Sequence, residues 1–189
     1  QRRVGELKKA ISGLGNINLD AIEEFQRVNE RYTYLTDQRD DVETAKKELE
    51  DVIAQITGEM KTIFAREFEN INQAFQQTFQ ELFGGGRAAL ELEDPEDILN
   101  CGIEIKVQPP GKALKVLSLL SGGEKAFVAI ALYFAILKVR PTPFVVMDEI
   151  EAALDDNNVV RFARYMRSMS DKTQFIVITH RRGTMEEAD

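Results

Sequence analysis

Three short segments of this 189-residue chain carry residue types whose spacing suits phosphate chemistry. The first is Leu120-Ser121-Gly122-Gly123-Glu124, in which two glycines open an apolar helical pattern. Glycine lets the backbone approach an anion closely, and a helix N-terminus adds N–H groups and the positive end of its dipole. The same residues also make an ordinary capping box, with Ser121 as cap and Glu124 three positions on. The second segment is Asp148-Glu149, which follows the apolar run Phe144-Val145-Val146-Met147. A carboxylate at the C-terminal end of a parallel strand points into the crevice where ligands bind. There Asp148 suits Mg2+ held through water, and Glu149 suits taking a proton from an attacking water; the alternative is a solvated acidic loop. The third is His180, the single histidine, which follows Phe175-Ile176-Val177-Ile178-Thr179. It is placed either to hydrogen-bond a phosphate oxygen or orient the water, or to sit in a surface loop. Asp155, closing Ala153-Leu154-Asp155, reads by itself as a helix cap.

These pieces make half of a nucleotide site. No stretch fits the phosphate-cradling pattern Gly-x-x-x-x-Gly-Lys-Ser/Thr, since Gly111-Lys112 is followed by Ala113 and Gly123 by Glu124. Nucleotide binding is therefore expected to need a partner polypeptide.

The elements that position these residues can be read from periodicity. Residues 20–83 contain no proline and one glycine, Gly58, with apolar residues at Phe25, Val28, Tyr32, Leu35, Val42, Leu49, Ile53, Ile56, Met60 and Ile63. Those steps of three and four predict one helix of roughly 95 Å at 1.5 Å per residue. So long a helix is expected to project as a coiled-coil arm whose stripe needs a second helix. Near Phe64 and Phe68 the stripe shifts and continues through Ile71, Phe75, Phe79 and Leu82, which predicts a change of partner there. Residues 4–14 read as the tail of the arm, broken by Gly13 and Gly15. After Gly84-Gly85-Gly86 the period changes. Strands are expected at 88–92 and 103–107, a loop at 94–102, and an apolar helix at 122–139 ended by Pro141 and Pro143. Residues 144–147 and 175–179 read as strands buried on both faces, with a helix at 156–169 between them. Strand, helix, strand implies a crossover and hence a parallel sheet in an α/β globule.

Composition bounds the rest. With 43% hydrophobic residues the chain can build one globular core. A net charge of −8 argues against strong nucleic-acid binding by this piece alone. Arg161, Arg164 and Arg167, at three-residue steps, and Arg181-Arg182 are a candidate DNA patch, set against a solvated helix face flanked by Asp155, Asp156 and Asp171. One cysteine, Cys101, excludes an internal disulfide. No transmembrane run or signal peptide is evident, so a soluble cytoplasmic protein is expected. The absence of an initiator Met and the polar stop after Arg181 read as cut ends.

In order, the signature turn, the strand with Asp-Glu, Ala-Leu-Asp, and the strand with His resemble the C-terminal half of an ABC-type ATPase head. Within that class the chain resembles a bacterial SMC (structural maintenance of chromosomes) protein. The segments that carry this resemblance are Leu82-Phe83-Gly84-Gly85-Gly86-Arg87, Pro109-Pro110-Gly111-Lys112, Pro143-Phe144, residues 148–155, Gln174 to His180 and residues 184–189. Leu14-Gly15-Asn16-Ile17-Asn18-Leu19 and Ala21-Ile22-Glu23-Glu24 are similar to the coil preceding an SMC head.

The resemblance implies an α/β fold of the P-loop NTPase superfamily, a parallel sheet with flanking helices. It divides the chain into a coiled-coil arm and neck at 1–83 and a C-terminal head lobe at 84–189. It implies that the P-loop lies in an N-terminal half of the same protein. It further implies ATP and Mg2+ as cofactors, with Asp148 at Mg2+, Glu149 as general base and His180 as switch histidine. Ser121, Gly122 and Gly123 would reach the γ-phosphate on a second head, and Asp155 would lie at the head-to-head interface. Partners implied are that second head in an ATP-dependent homodimer, a kleisin subunit on the coil from about Ile53 to Phe79 and on the head cap, and DNA through the assembled complex, with no membrane. The family's chain continues past Ala188-Asp189 with strands that contribute to the cap. The expected output is chromosome condensation and segregation at the nucleoid. Rivals are a coiled-coil ABC ATPase of DNA repair, a structural kleisin-binding module without turnover, and an ABC transporter subunit, the last disfavoured by the long coil.

Overall fold

The computed structural model describes residues 2–13, 15 and 20–188. Leu14 and residues 16–19, within the upstream segment similar to an SMC coil, lie outside the described residues. The chain divides into two compact units, residues 1–56 and 57–189. In the first unit, α1 (Arg2–Gly13) and the N-terminal part of α2 (Ala21–Phe83) carry the expected stripe in the open, Phe25, Tyr32, Val42 and Leu49 all being exposed.

In the second unit α2 runs on and its stripe changes surroundings where the sequence shifts. Met60 and Ile63 are exposed, whereas Phe68 and Ile71 pack on the core and Phe75, Phe79 and Leu82 are buried in it. Phe75 and Phe79, at the C-terminal end of the expected kleisin footprint of Ile53 to Phe79, face the lobe's own interior, while Gln73, Gln76 and Gln77 in the same stretch are exposed. The helix ends as the glycine run requires. Gly84, Gly85 and Gly86 adopt φ of +74°, +130° and +89°, and Gly85 N–H reaches back to Gln80 C=O at 2.9 Å, the six-to-one bond of a Schellman cap.

Three strands follow, β1 (Arg87–Leu92), β2 (Ile103–Gln108) and the two-residue β3 (Lys115–Val116), paired antiparallel in that order. Asn72 Oδ1 on α2 accepts from Leu90 N–H at 2.8 Å and ties the helix to β1. A 3₁₀ turn, Leu117–Leu119, leads to α3 (Gly122–Val139), which is apolar on nearly every side and forms the centre of the core. Its Phe134 ring lies 5.1 to 6.3 Å from those of Tyr133, Phe162, Tyr165 and Phe175. Truncating so central a ring to Ala costs about 3–5 kcal/mol.

β4 (Phe144–Asp148) and β5 (Gln174–Ile178) pair in parallel, with α4 (Asp156–Ser168) between them in sequence and α5 (Arg182–Met185) after. This parallel pair departs from expectation in one respect. Val145 and Met147 are buried, but Phe144 and Val146 are 60% and 57% exposed, and Ile176 and Ile178 are exposed on β5. Strands read as buried on both faces have one face covered here, because the second layer that a doubly covered sheet needs is not supplied by the described residues. No helix among the described residues is long and apolar enough to cross a membrane.

Candidate functional site

The site is built where β4 and β5 end side by side. Asp148 is the last residue of β4, and Glu149 follows in the left-handed region at φ +48°, the only non-glycine with positive φ among the described residues. That backbone is held by Glu149 N–H donating to Ile178 C=O at 2.9 Å, which continues the ladder one step beyond the strand. The turn aims the Glu149 carboxylate across to the end of β5. His180 Nε2 lies 2.8 Å from Glu149 Oε1, joining two residues expected to act on one water. Both side chains stay open to solvent, and with Glu151, Ala152 and Arg181 they line a cleft of about 100 Å³.

The glycine turn opens α3 with both halves of a capping box. Ser121 Oγ accepts from Glu124 N–H at 3.4 Å, while Glu124 Oε2 accepts from Ser121 N–H at 3.0 Å and from its hydroxyl at 2.7 Å. Lys112 Nζ adds a 2.6 Å contact to Glu124 Oε1. That ammonium, then the Ser121 hydroxyl and N–H, hold the Glu124 carboxyl down to about 2. The two glycines differ. A Cβ on Gly122 would meet nothing within 4 Å, whereas one on Gly123 would lie 2.9 Å from Ala153 C=O. Gly123 is thus required by close approach to the 152–155 turn, and Gly122 faces open space.

Asp155 caps α4, its Oδ1 accepting from Asn158 N–H and its Oδ2 from the Asn158 side chain, each at 2.9 Å. Asp148 and Ser121 are exposed. Each arginine of the candidate DNA patch also has a partner within this chain. Arg161 donates to Phe83 C=O at 3.0 Å, Arg164 and Arg167 reach Glu187, Arg181 binds Leu154 C=O and Asp156, and Arg182 pairs with Glu186.

One residue of the site escaped sequence reasoning. Glu151 is fully buried, and its Oε1 accepts from the hydroxyls of Thr179 and Thr184. A glutamate in an acidic loop carries no sequence signal of burial; only the packing of the 179–184 turn over it creates one.

Comparison with known proteins places the fold. The model for the RecF/RecN/SMC N-terminal domain matches residues 16–189. The chromosome partition protein Smc of Bacillus subtilis is 57% identical over 189 residues, covering all of this chain and 16% of that protein. The Pyrococcus furiosus Smc head domain with an extended coiled coil, solved bound to the C-terminal domain of ScpA, is 42% identical at a TM-score of 0.71, covering all of this chain and 48% of that one. A structure from a study of ATP-driven dimerization and DNA-stimulated activation of SMC ATPases is 46% identical at a TM-score of 0.64, covering 68% of this chain and 78% of that one. The fold is that of an ABC-type ATPase head carrying a long helix. The chain belongs to the RecF/RecN/SMC N-terminal domain family, and it spans 16% of the length of the curated relative.

Proposed function

We propose that this chain is the C-terminal half of an SMC ATPase head, with its neck coil at 1–83 and its head lobe at 84–189. With an N-terminal half that carries the P-loop, it binds ATP, joins a second head through the nucleotide and hydrolyses it to drive chromosome condensation and segregation. The observation that carries this reading is the 2.8 Å contact of Glu149 with His180 at the mouth of a parallel strand pair. Glu149 takes the proton of the attacking water as general base. His180 holds that carboxylate and contacts the phosphate side. Asp148, exposed at the strand end, supplies one carboxylate toward Mg2+. No group of three or more candidate ligands gathers among the described residues, which fits an ion that takes one or two carboxylates and completes its shell with water and phosphate oxygens. Bound there, Mg2+ would neutralise charge on the phosphates.

Ser121, Gly122 and Gly123 offer the first turn of α3 to the γ-phosphate on the second head, since first-turn N–H groups have no intrahelical partner. Asp155 lies at the interface between heads. The open apolar face of β4 and β5 supports the need for a covering N-terminal half. Met60 and Ile63, exposed on α2, offer a kleisin subunit an apolar stripe, joined by the head cap. DNA is engaged by the assembled complex at the nucleoid rather than by this acidic chain.

The reading is tested by co-expressing the chain with the P-loop half and measuring hydrolysis. Turnover should rise steeply with protein concentration, and Glu149→Gln should bind ATP and associate without hydrolysing it. A wild-type complex that binds ATP yet neither associates nor turns it over sinks the proposal.

A further inference from the structure

His180 has no packing to hold it. Its side chain is 85% exposed and meets Glu149 at its tip, so its direction is set by the backbone on either side. That backbone is anchored on a buried carboxylate. Thr179, just before the histidine, donates its hydroxyl to Glu151 Oε1, and the same hydroxyl oxygen accepts from Arg181 N–H at 2.9 Å, just after it. Thr184 donates to the same Glu151 oxygen at 3.1 Å, and Thr184 N–H returns to Arg181 C=O at 3.1 Å. The turn from 179 to 184 is therefore folded around one acceptor atom. Glu151 is itself part of the turn that begins at Glu149, with Ala152 N–H on Glu149 C=O and Leu154 N–H on Glu151 C=O. Arg181 adds a guanidinium bond to Leu154 C=O at 2.9 Å.

Burying a carboxylate is unfavourable, and here the compensation is incomplete, because Glu151 Oε2 has no hydrogen-bond partner among the described residues. An apolar residue would fill the space without that cost. What it would lose is the acceptor joining the loop that carries Glu149 to the loop that carries His180.

We infer that Glu151 is a positioning residue, whose Oε1 fixes the 179–184 turn through Thr179 and Thr184 and so sets the His180 imidazole against the Glu149 carboxylate. The inference rests on the reading of Glu149 and His180 as the hydrolytic pair. Glu151 acts on His180 through two threonines.

The test uses the complex with the P-loop half and two readouts. Glu151→Leu keeps the volume and removes the acceptor, whereas Glu151→Gln retains one oxygen able to accept from both hydroxyls. Glu151→Leu should lower kcat on the order of 10²-fold with KM for ATP nearly unchanged, as expected for angstrom-scale misplacement of catalytic groups. Glu151→Gln should restore kcat to within about threefold of wild type. The second readout needs no turnover. Histidine labelled with ¹⁵N in this chain alone reports a single imidazole, and its resonance in Glu149→Ala, which has no side-chain acceptor, marks the uncoupled position. Glu151→Leu should move the resonance to that position, and Glu151→Gln should leave it in place. Should Glu151→Leu fail to fold, Thr184→Val removes one of the two bonds and should shift the resonance the same way.

Wild-type behaviour of Glu151→Leu in both readouts overturns the inference. So does equal loss in the Leu and Gln variants, which would make the charge rather than the acceptor essential. A wild-type complex without ATPase activity removes the functional reading alone, and the imidazole resonance still decides whether Glu151 sets the pair.

Discussion

Glu149 reaches His180 across the ends of two parallel strands at 2.8 Å, and it does so from a left-handed backbone that glutamate rarely occupies. The conformation is not a glycine turn that happens to hold an acid. It places a carboxylate where a regular strand continuation would have carried the side chain to the other face of the sheet.

Strain of this kind is measurable. Left-handed backbone is disfavoured for residues with a long side chain, and asparagine tolerates it better. Glu149→Asn and Glu149→Gln both remove the carboxylate proposed as general base, but the Asn variant should be more stable by about 0.5–1 kcal/mol in urea unfolding. Equal stabilities would show that the φ of +48° stores nothing.

The paired glycines of the α3 turn separate packing from ligand contact. Gly122→Ala enters open space, so thermal unfolding of the complex should be unchanged while ATP-dependent association is lost. Gly123→Ala drives a methyl group against the Ala153 carbonyl, 2.9 Å from the added carbon, and should destabilise the lobe by about 1–3 kcal/mol. Loss of association with Gly123→Ala but not Gly122→Ala would move the phosphate contact away from Gly122.

Acid titration should reveal the capping box. Glu124 ionises near 2 when folded against an ordinary 4.5, so the folded state binds its proton less readily than the unfolded chain. Its contribution is full above about pH 5 and is lost as pH falls toward 2. Glu124→Gln does not titrate. Wild type should therefore exceed it in stability at pH 7, with the gap closing between about pH 5 and pH 2 and not on the alkaline side.

Arg161 is a structural cation. It caps the C-terminal carbonyls of α2 from α4, donating to Phe83 C=O at 3.0 Å. Arg161→Ala should cost about 1–2 kcal/mol in urea unfolding, a hydrogen bond from a charged group being lost. Fluorescence anisotropy should find DNA affinity of the assembled complex unchanged; a marked fall would return the arginine face to consideration.

Local order was legible wherever punctuation was strong. Ser121-Gly122-Gly123 and Pro141 bracket α3 at the residues where it begins and ends, and the phase shift near Phe64 marks where α2 enters the core. The two-residue β3 and the 3₁₀ turn after it are too short to show a period, and they were missed. Apolar runs at 144–147 and 175–179 revealed strands but not their coverage, because hydrophobicity records that a face prefers burial, not whether this chain supplies the cover. The site residues were legible as a series along the chain. The contact between Glu149 and His180 and the buried anchor at Glu151 were not, since both arise from two turns meeting in space.

The open face of the parallel pair bears on how the molecule must be made. Phe144 and Val146 on one strand, with Ile176 and Ile178 on its neighbour, lie in short runs rich in β-branched residues and poor in charge. Such windows pair with copies of themselves when left bare. The surface that covers this face therefore has to reach it before a second copy of the chain does.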